Sequence, residues 1–235
     1  MRLKKIIKQL EGKFPLELAE EWDNVGLLLD STRREIKSIM LCLDITRDVV
    51  DKAVANKVDL IISHHPFIFS PLKKITTDEV NGEKILKLAR NNIAVYSMHT
   101  NIDSGIGGLN DFIIKKIGQE GKVFAISNNR SIELRKLVTS DLIDAKDKII
   151  NPLRIQKLKS AITIEELCKI IKEKLCIPNV RVVGDTAKLV KSYAICTGSG
   201  MSFSENVEGF YHIDLITHLG FNDEKCLFLG SICSK

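Results

Sequence analysis

The sequence predicts an α/β protein built as two α/β halves, with mixed or parallel sheets and a site at the strand ends. Three observations carry this. An apolar run, Val58-Asp59-Leu60-Ile61-Ile62-Ser63, ends in His64-His65-Pro66, and such a run bounded by turn chemistry reads as a buried strand that the proline stops. A second run, from Asn92 to Ser97, ends in Met98-His99-Thr100-Asn101-Ile102-Asp103. Between them, Val80, Ile85, Leu86 and Leu88 recur at roughly helical spacing, as a crossover helix requires. A strand, helix and strand in that order form a right-handed parallel unit, which brings both strand ends to one edge of the sheet.

Ligands and metals collect at the carboxyl ends of strands in α/β sheets. Imidazole and carboxylate groups there suit a divalent transition metal. His64, His65, His99 and Asp103 can converge on this edge. Taken alone, the His64-His65 pair also reads as one core and one surface histidine.

The 235 residues suffice for one large domain or two small ones, and 44% hydrophobic with 28% charged residues is ordinary globular composition. No apolar stretch approaches a membrane span, and the N-terminus lacks a signal-peptide pattern. A cytoplasmic protein is therefore expected. The net charge of +5 is mild, and its lysines are spread along helices without interleaved aromatics, which argues against a nucleic-acid partner. Cys42, Cys168, Cys176, Cys196, Cys226 and Cys233 contain no Cys-x-x-Cys pair, so they read as reduced thiols with no nucleophilic role.

In chain order, Leu3, Ile6, Ile7 and Leu10 mark an amphipathic helix, followed after Gly12 and Pro15 by a short segment with Leu16 and Leu18. Glu20 to Leu29 holds the single tryptophan, Trp22. Its Asp23-Asn24 followed by Gly26 reads either as a plain turn into a strand or as a pocket wall. Ser38 to Leu43 is a strand ending in Asp44-Ile45-Thr46, where Asp44 or Thr46 can cap the helix from about Arg47 through Ala55. Capping is the favoured role for Asp44; orienting a ligand histidine is the alternative. The glycine-rich Ser104 to Asn110 lets the chain turn beside Asp103 and lacks a phosphate-loop ending.

Residues 1–120 are thus read as the first half. Residues 121–160, rich in Lys, Asn, Asp and Ser, are read as a linker or small variable insertion. Residues 161–203 form part of the second half: Thr163 with Glu166 makes a capping box opening a helix to about Leu175, and Val180–Gly184 and Val190–Cys196 are strands. Residues 204–235 form a divergent tail, whose apolar run Cys226 to Cys233 has no identifiable partner strand.

Four ordered motifs, Glu21-Trp22-Asp23-Asn24-Val25-Gly26-Leu27, Asp44-Ile45-Thr46, Ser63-His64-His65-Pro66 and His99-Thr100-Asn101-Ile102-Asp103, resemble those of the GTP cyclohydrolase 1 type 2 homologs, the NIF-three-like dinuclear metal proteins. Arg181-Val182-Val183-Gly184 and Cys196-Thr197-Gly198-Ser199-Gly200 are similar to that family's second half. The resemblance implies two divalent metal ions, zinc, iron, manganese or cobalt, with His64, His65 and Asp103 as ligands. It places His99 near the metals as a supporting group and implies a ring-shaped homohexamer. It also implies a histidine and, four positions on, a glutamate from the C-terminal segment. Here His212 is followed four positions later by Ile216, and His218 by Asn222. A shifted reading frame near residue 203 and a genuinely divergent end are both open readings. The implied function is a metal-dependent hydrolase of a nucleotide or phosphoester; the alternatives are a non-enzymatic metal-binding scaffold or an inactive truncated family member.

Overall fold

The first residues form α1 (Leu3–Lys13), which buries Leu3 and Ile6 and is followed by a 3-10 turn, Leu16–Leu18. In this computed structural model, residues 1–33, 35–127, 130–133, 151–198, 211–215 and 226–231 are described. They divide into two units, Met1–Ile102 and Asp103–Lys235, so the first unit ends before the expected residue 120.

After α1 come β1 (Gly26–Leu29), β2 (Ile39–Cys42), α2 (Arg47–Ala55), β3 (Leu60–Ser63), α3 (Val80–Arg90) and β4 (Ala94–Ser97). The sheet order is β1-β4-β3-β2, with β2, β3 and β4 parallel and β1 antiparallel to β4. Both faces are covered, and the two-residue period of the strands divides their side chains. Leu60, Ala94 and Tyr96 pack with Leu3, Ile6 and Phe14 around α1. Ile61 and Val95 pack with Val50 and Ala53 of α2 and Ile85 and Leu88 of α3. Each large side chain so buried contributes about 1.5–3 kcal/mol relative to exposure. The parallel register pairs Ser63 with Ser97, and their hydroxyls hydrogen-bond at 2.8 Å. The chain therefore leaves β3 and β4 at the same edge of the sheet.

The helical turn α4 (Thr100–Ser104) follows β4 across the division between the units. In the second unit, α5 (Leu109–Ile117) stops at Gly118, whose φ of 71° gives the left-handed cap that glycine adopts without strain. Then come β5 (Gly121–Ser127), β6 (Arg130–Glu133), β7 (Arg154–Thr163), α6 (Ile164–Leu175), β8 (Asn179–Val183), β9 (Leu189–Thr197), β10 (Tyr211–Leu215) and β11 (Cys226–Ser231). The seven strands run β6-β5-β7-β9-β10-β11-β8. Ile113, Ile114 and Ile117 of α5 join Ile164, Leu167 and Ile171 of α6 over Val190, Tyr193 and Ile195. The capping box forms as its sequence dictates: Thr163 accepts from Glu166 N, and Glu166 accepts from Thr163 N.

The fold departs from the sequence reading in two further places. The stretch expected as a linker, 121–160, supplies β5, β6 and most of β7, and β7 lies between β5 and β9. One of its charged residues is satisfied inside the fold. Arg154 is fully buried, bonding Asp111 and donating to the carbonyls of Asn151, Leu153, Ser104 and Gly105. The tail's apolar run also has partners: β11 pairs antiparallel with β10 and parallel with β8. Residues 199–210, 216–225 and 232–235, including Ser199-Gly200 of the expected turn, lie outside the described residues. Among the described residues, no helix is long and apolar enough to cross a membrane.

Candidate metal centre

β3 and β4 end side by side, and the residues just beyond them carry the histidines. His64 N and His65 N donate to Cys42 O and Leu43 O, and Met98 N donates to Ser63 O. These bonds continue the parallel ladder past the strand ends and fix where each imidazole starts. The ring centroids of His64 and His65 lie 5.0 Å apart, those of His64 and His99 5.0 Å, and those of His65 and His99 5.4 Å. One ligand nitrogen from each of the three falls within 4.8 Å of the others.

Each ring is turned by an acceptor at Nδ1. His64 Nδ1 lies 2.9 Å from Met98 O, His65 Nδ1 2.7 Å from Asp44 Oδ1, and His99 Nδ1 3.0 Å from Asp23 Oδ1. A carbonyl or a carboxylate oxygen accepts, so each Nδ1 carries the proton and donates, and the lone pair of the neutral ring sits on Nε2. This is the arrangement in which an imidazole serves a metal, with the other nitrogen held by a protein acceptor.

The electrostatics agree. Burial pushes the His64 imidazolium down to about 4, with His99 and His65 adding repulsion, so the ring is neutral at pH 7 and its lone pair is available. Burial would raise the Asp23 carboxyl, but hydrogen bonds from His99 and Thr100 outweigh it and hold it below the usual carboxylate range. Asp23 also accepts from Thr100 N at 3.0 Å and Asn24 N at 2.8 Å. Its charge is thereby fixed behind His99.

These contacts resolve open readings. The Asp23-Asn24 segment is the support of a histidine as well as a turn. Thr46 is the cap of α2, accepting from Val49 N at 3.2 Å. Asp44 instead orients His65, which corrects the favoured capping role. Capping needed one short side chain, and Thr46, adjacent to Arg47, has the better position. His99, expected beside the metals, is a full member of the cluster. Asp103, the expected carboxylate ligand, is a buried residue of α4 in the second unit. Cys42 offers no nucleophile, since burial, with Asp44 nearby, pushes its thiol up to about 11.

The fold and the cluster define a class: a mixed α/β protein that gathers three oriented, neutral-capable imidazoles at the ends of parallel strands. The family profile of Duf34/NIF3 (NGG1p interacting factor 3) matches residues 1–216, and the chain belongs to this family. It is 35% identical over 205 residues to a GTP cyclohydrolase 1 type 2 homolog of Clostridium acetobutylicum, covering 87% of this chain and 71% of that protein. A protein of the same description from Clostridium perfringens is 36% identical over 203 residues, 86% of this chain and 71% of its own length. The fold is that of a Bacillus cereus protein related to NIF3, with a TM-score of 0.75 at 21% identity, covering 98% of this chain and 87% of that one. The family expected from the motifs is thus the family found.

Proposed function

We propose that the chain binds divalent metal at the ends of β3 and β4 and uses it to hydrolyse a nucleotide or phosphoester. The observation that carries the reading is the common arrangement of three imidazoles, each with Nδ1 donating to a protein acceptor and each with a ring nitrogen within 4.8 Å of the other two. The donor set fits zinc, iron, manganese or cobalt. His64 and His65 are the proposed imidazole ligands and Asp103, four residues after His99 in the chain, the proposed carboxylate; His99 completes the cluster beside them. A bound divalent ion supplies Lewis acidity and an activated water.

The protein's own groups do the rest. Asp44 and Asp23 hold His65 and His99 in the donor tautomer at Nδ1, and burial keeps His64 unprotonated. The homohexamer implied by the family resemblance is part of the proposal, and light scattering on the purified chain tests it. For the activity, protein stripped with chelator and reloaded with zinc or manganese is assayed on bis(4-nitrophenyl) phosphate and on GTP. Turnover that needs metal and disappears in His64→Ala supports the reading. Tight metal binding with no turnover of either substrate would instead make the chain a non-catalytic metal-binding protein.

A further inference from the structure

We infer that the cavity beside His65 takes an anion attached to a planar aromatic ring, the ring against Trp22 and Phe69 and the anion at Lys84. Its place next to the reacting centre rests on the proposed metal site; the binding itself does not.

Trp22 is 60% exposed and Phe69 52% exposed, yet the two rings lie against each other with centroids 6.0 Å apart. Trp22 is also edge-on to His99 at 6.1 Å. Two exposed aromatic rings in contact form a contiguous apolar patch, which marks an interaction surface where single exposed rings would not. Phe69 continues into a cavity of about 510 Å³, within the range of small-molecule sites. Its wall includes His65, Pro66, Phe67 and Leu72, with Lys84 and Asp44 as its charged groups.

Lys84 differs from the cations around it. On α3, Lys87 pairs with Asp51, and on α2, Arg47 pairs with Glu83. Lys84, between them, donates to the neutral carbonyl of Ile45 at 2.8 Å and lies 5.4 Å over the Phe67 ring. Neither contact cancels its charge. Asp44, the carboxylate that acts on Lys84 through space, is turned to His65 at 2.7 Å, and the ammonium is the group of the wall that can meet an incoming phosphate or carboxylate. Burial and the nearby Arg47 weigh against its charged form and lower its pKa, with Asp44 opposing them in part, and a bound anion would add to that opposition. Phe69 belongs both to the aromatic pair and to the cavity wall that carries His65 and Lys84, so one ligand can reach ring and cation.

The test uses the full chain stripped of metal and titrated with guanosine monophosphate. Trp22, the single tryptophan of the chain, reports through its emission, and calorimetry gives the affinity. The expected result is saturable quenching, weakened about tenfold or more by Lys84→Gln and by Phe69→Ala. Guanosine alone and inorganic phosphate alone should each bind at least about tenfold more weakly. Both variants must keep the wild-type circular dichroism and zinc binding. No saturable change with the monophosphate, or equal affinity in both variants, overturns the inference while leaving the metal site standing. Monophosphate binding in a chain that takes up no zinc leaves the pocket standing and removes the metal reading.

Discussion

The two ends of the β3–β4 pair carry polar groups of the same kinds and treat them in opposite ways. At the amino end, Asp59 is buried, and its Oδ2 accepts from Lys37 N at 2.7 Å and Ser38 N at 3.0 Å while Oδ1 pairs with Arg33 at 3.1 Å. Asn92 beside it accepts from Thr32 N at 2.8 Å, and its carbonyl accepts from Arg33. These groups are used up in joining the β1–β2 connection to the sheet. At the carboxyl end, the carboxylates of Asp23 and Asp44 are spent on holding imidazoles, and the imidazoles face one another. Polar groups whose bonds all close, as those of Asp59 do on Lys37 N, Ser38 N and Arg33, stabilise a fold. Polar groups that close on a second side chain and leave that side chain's other atom in a shared cluster prepare a site.

Substitutions can break this contrast. The largest expected effect is that of His64→Ala on metal: binding at the cluster should be abolished, with unfolding free energy changed by less than about 1 kcal/mol, as read by calorimetric titration beside urea denaturation. Asp59→Ala should do the reverse. Two part-buried backbone N–H groups and Arg33 lose their acceptor, so stability should fall by about 1–3 kcal/mol while metal affinity per folded molecule stays within about twofold. Asp23→Asn should keep the fold and weaken metal about 10–100-fold, because His99 loses a charged acceptor at Nδ1. Asp44→Asn, at a more exposed carboxylate, should cost at most about tenfold.

The smallest effect separates the two ends by pH. In metal-free protein, the His64 imidazolium is pushed down to about 4 by burial, so the unfolded chain takes up a proton near the ordinary histidine value where the folded chain does not. That stabilisation is complete above about pH 6.5 and declines as pH falls towards 4. The Asp59 carboxyl is held below its ordinary value by Lys37 N, Ser38 N and Arg33, against a burial that would raise it. Its contribution is therefore complete above that ordinary value and lost only in stronger acid. Thermal unfolding from pH 7 to 4.5 should show a slope that His64→Ala flattens and Asp59→Ala does not.

Much of this was legible in the sequence where local chemistry decided the structure. The runs before His64 and Asn101 are strands because apolar residues fill both faces, and the Thr163 capping box formed as its spacing requires. β7 was not legible. Its Arg154, Gln156 and Lys157 look like linker composition, and the Asp111 carboxylate, distant in sequence, supplies the charge that makes a buried Arg154 tolerable. The partners of β11 were hidden for a related reason: pairing to β8 spans more than forty residues of chain, and no local signal records it. At the site, the histidines were visible but their supports were not. Asp44 carried a plausible local role as a helix cap, and Asp23 meets His99 through the antiparallel pairing of β1 with β4, which sets Gly26 opposite Ser97.

The most direct test of a metal centre at the ends of β3 and β4 is a zinc titration of the chelator-stripped chain, read by calorimetry, for wild type and for the His64→Ala/His65→Ala pair. The wild type should bind saturably and the double variant not at all, at unchanged circular dichroism. Equal zinc binding by the two proteins would contradict a metal centre there.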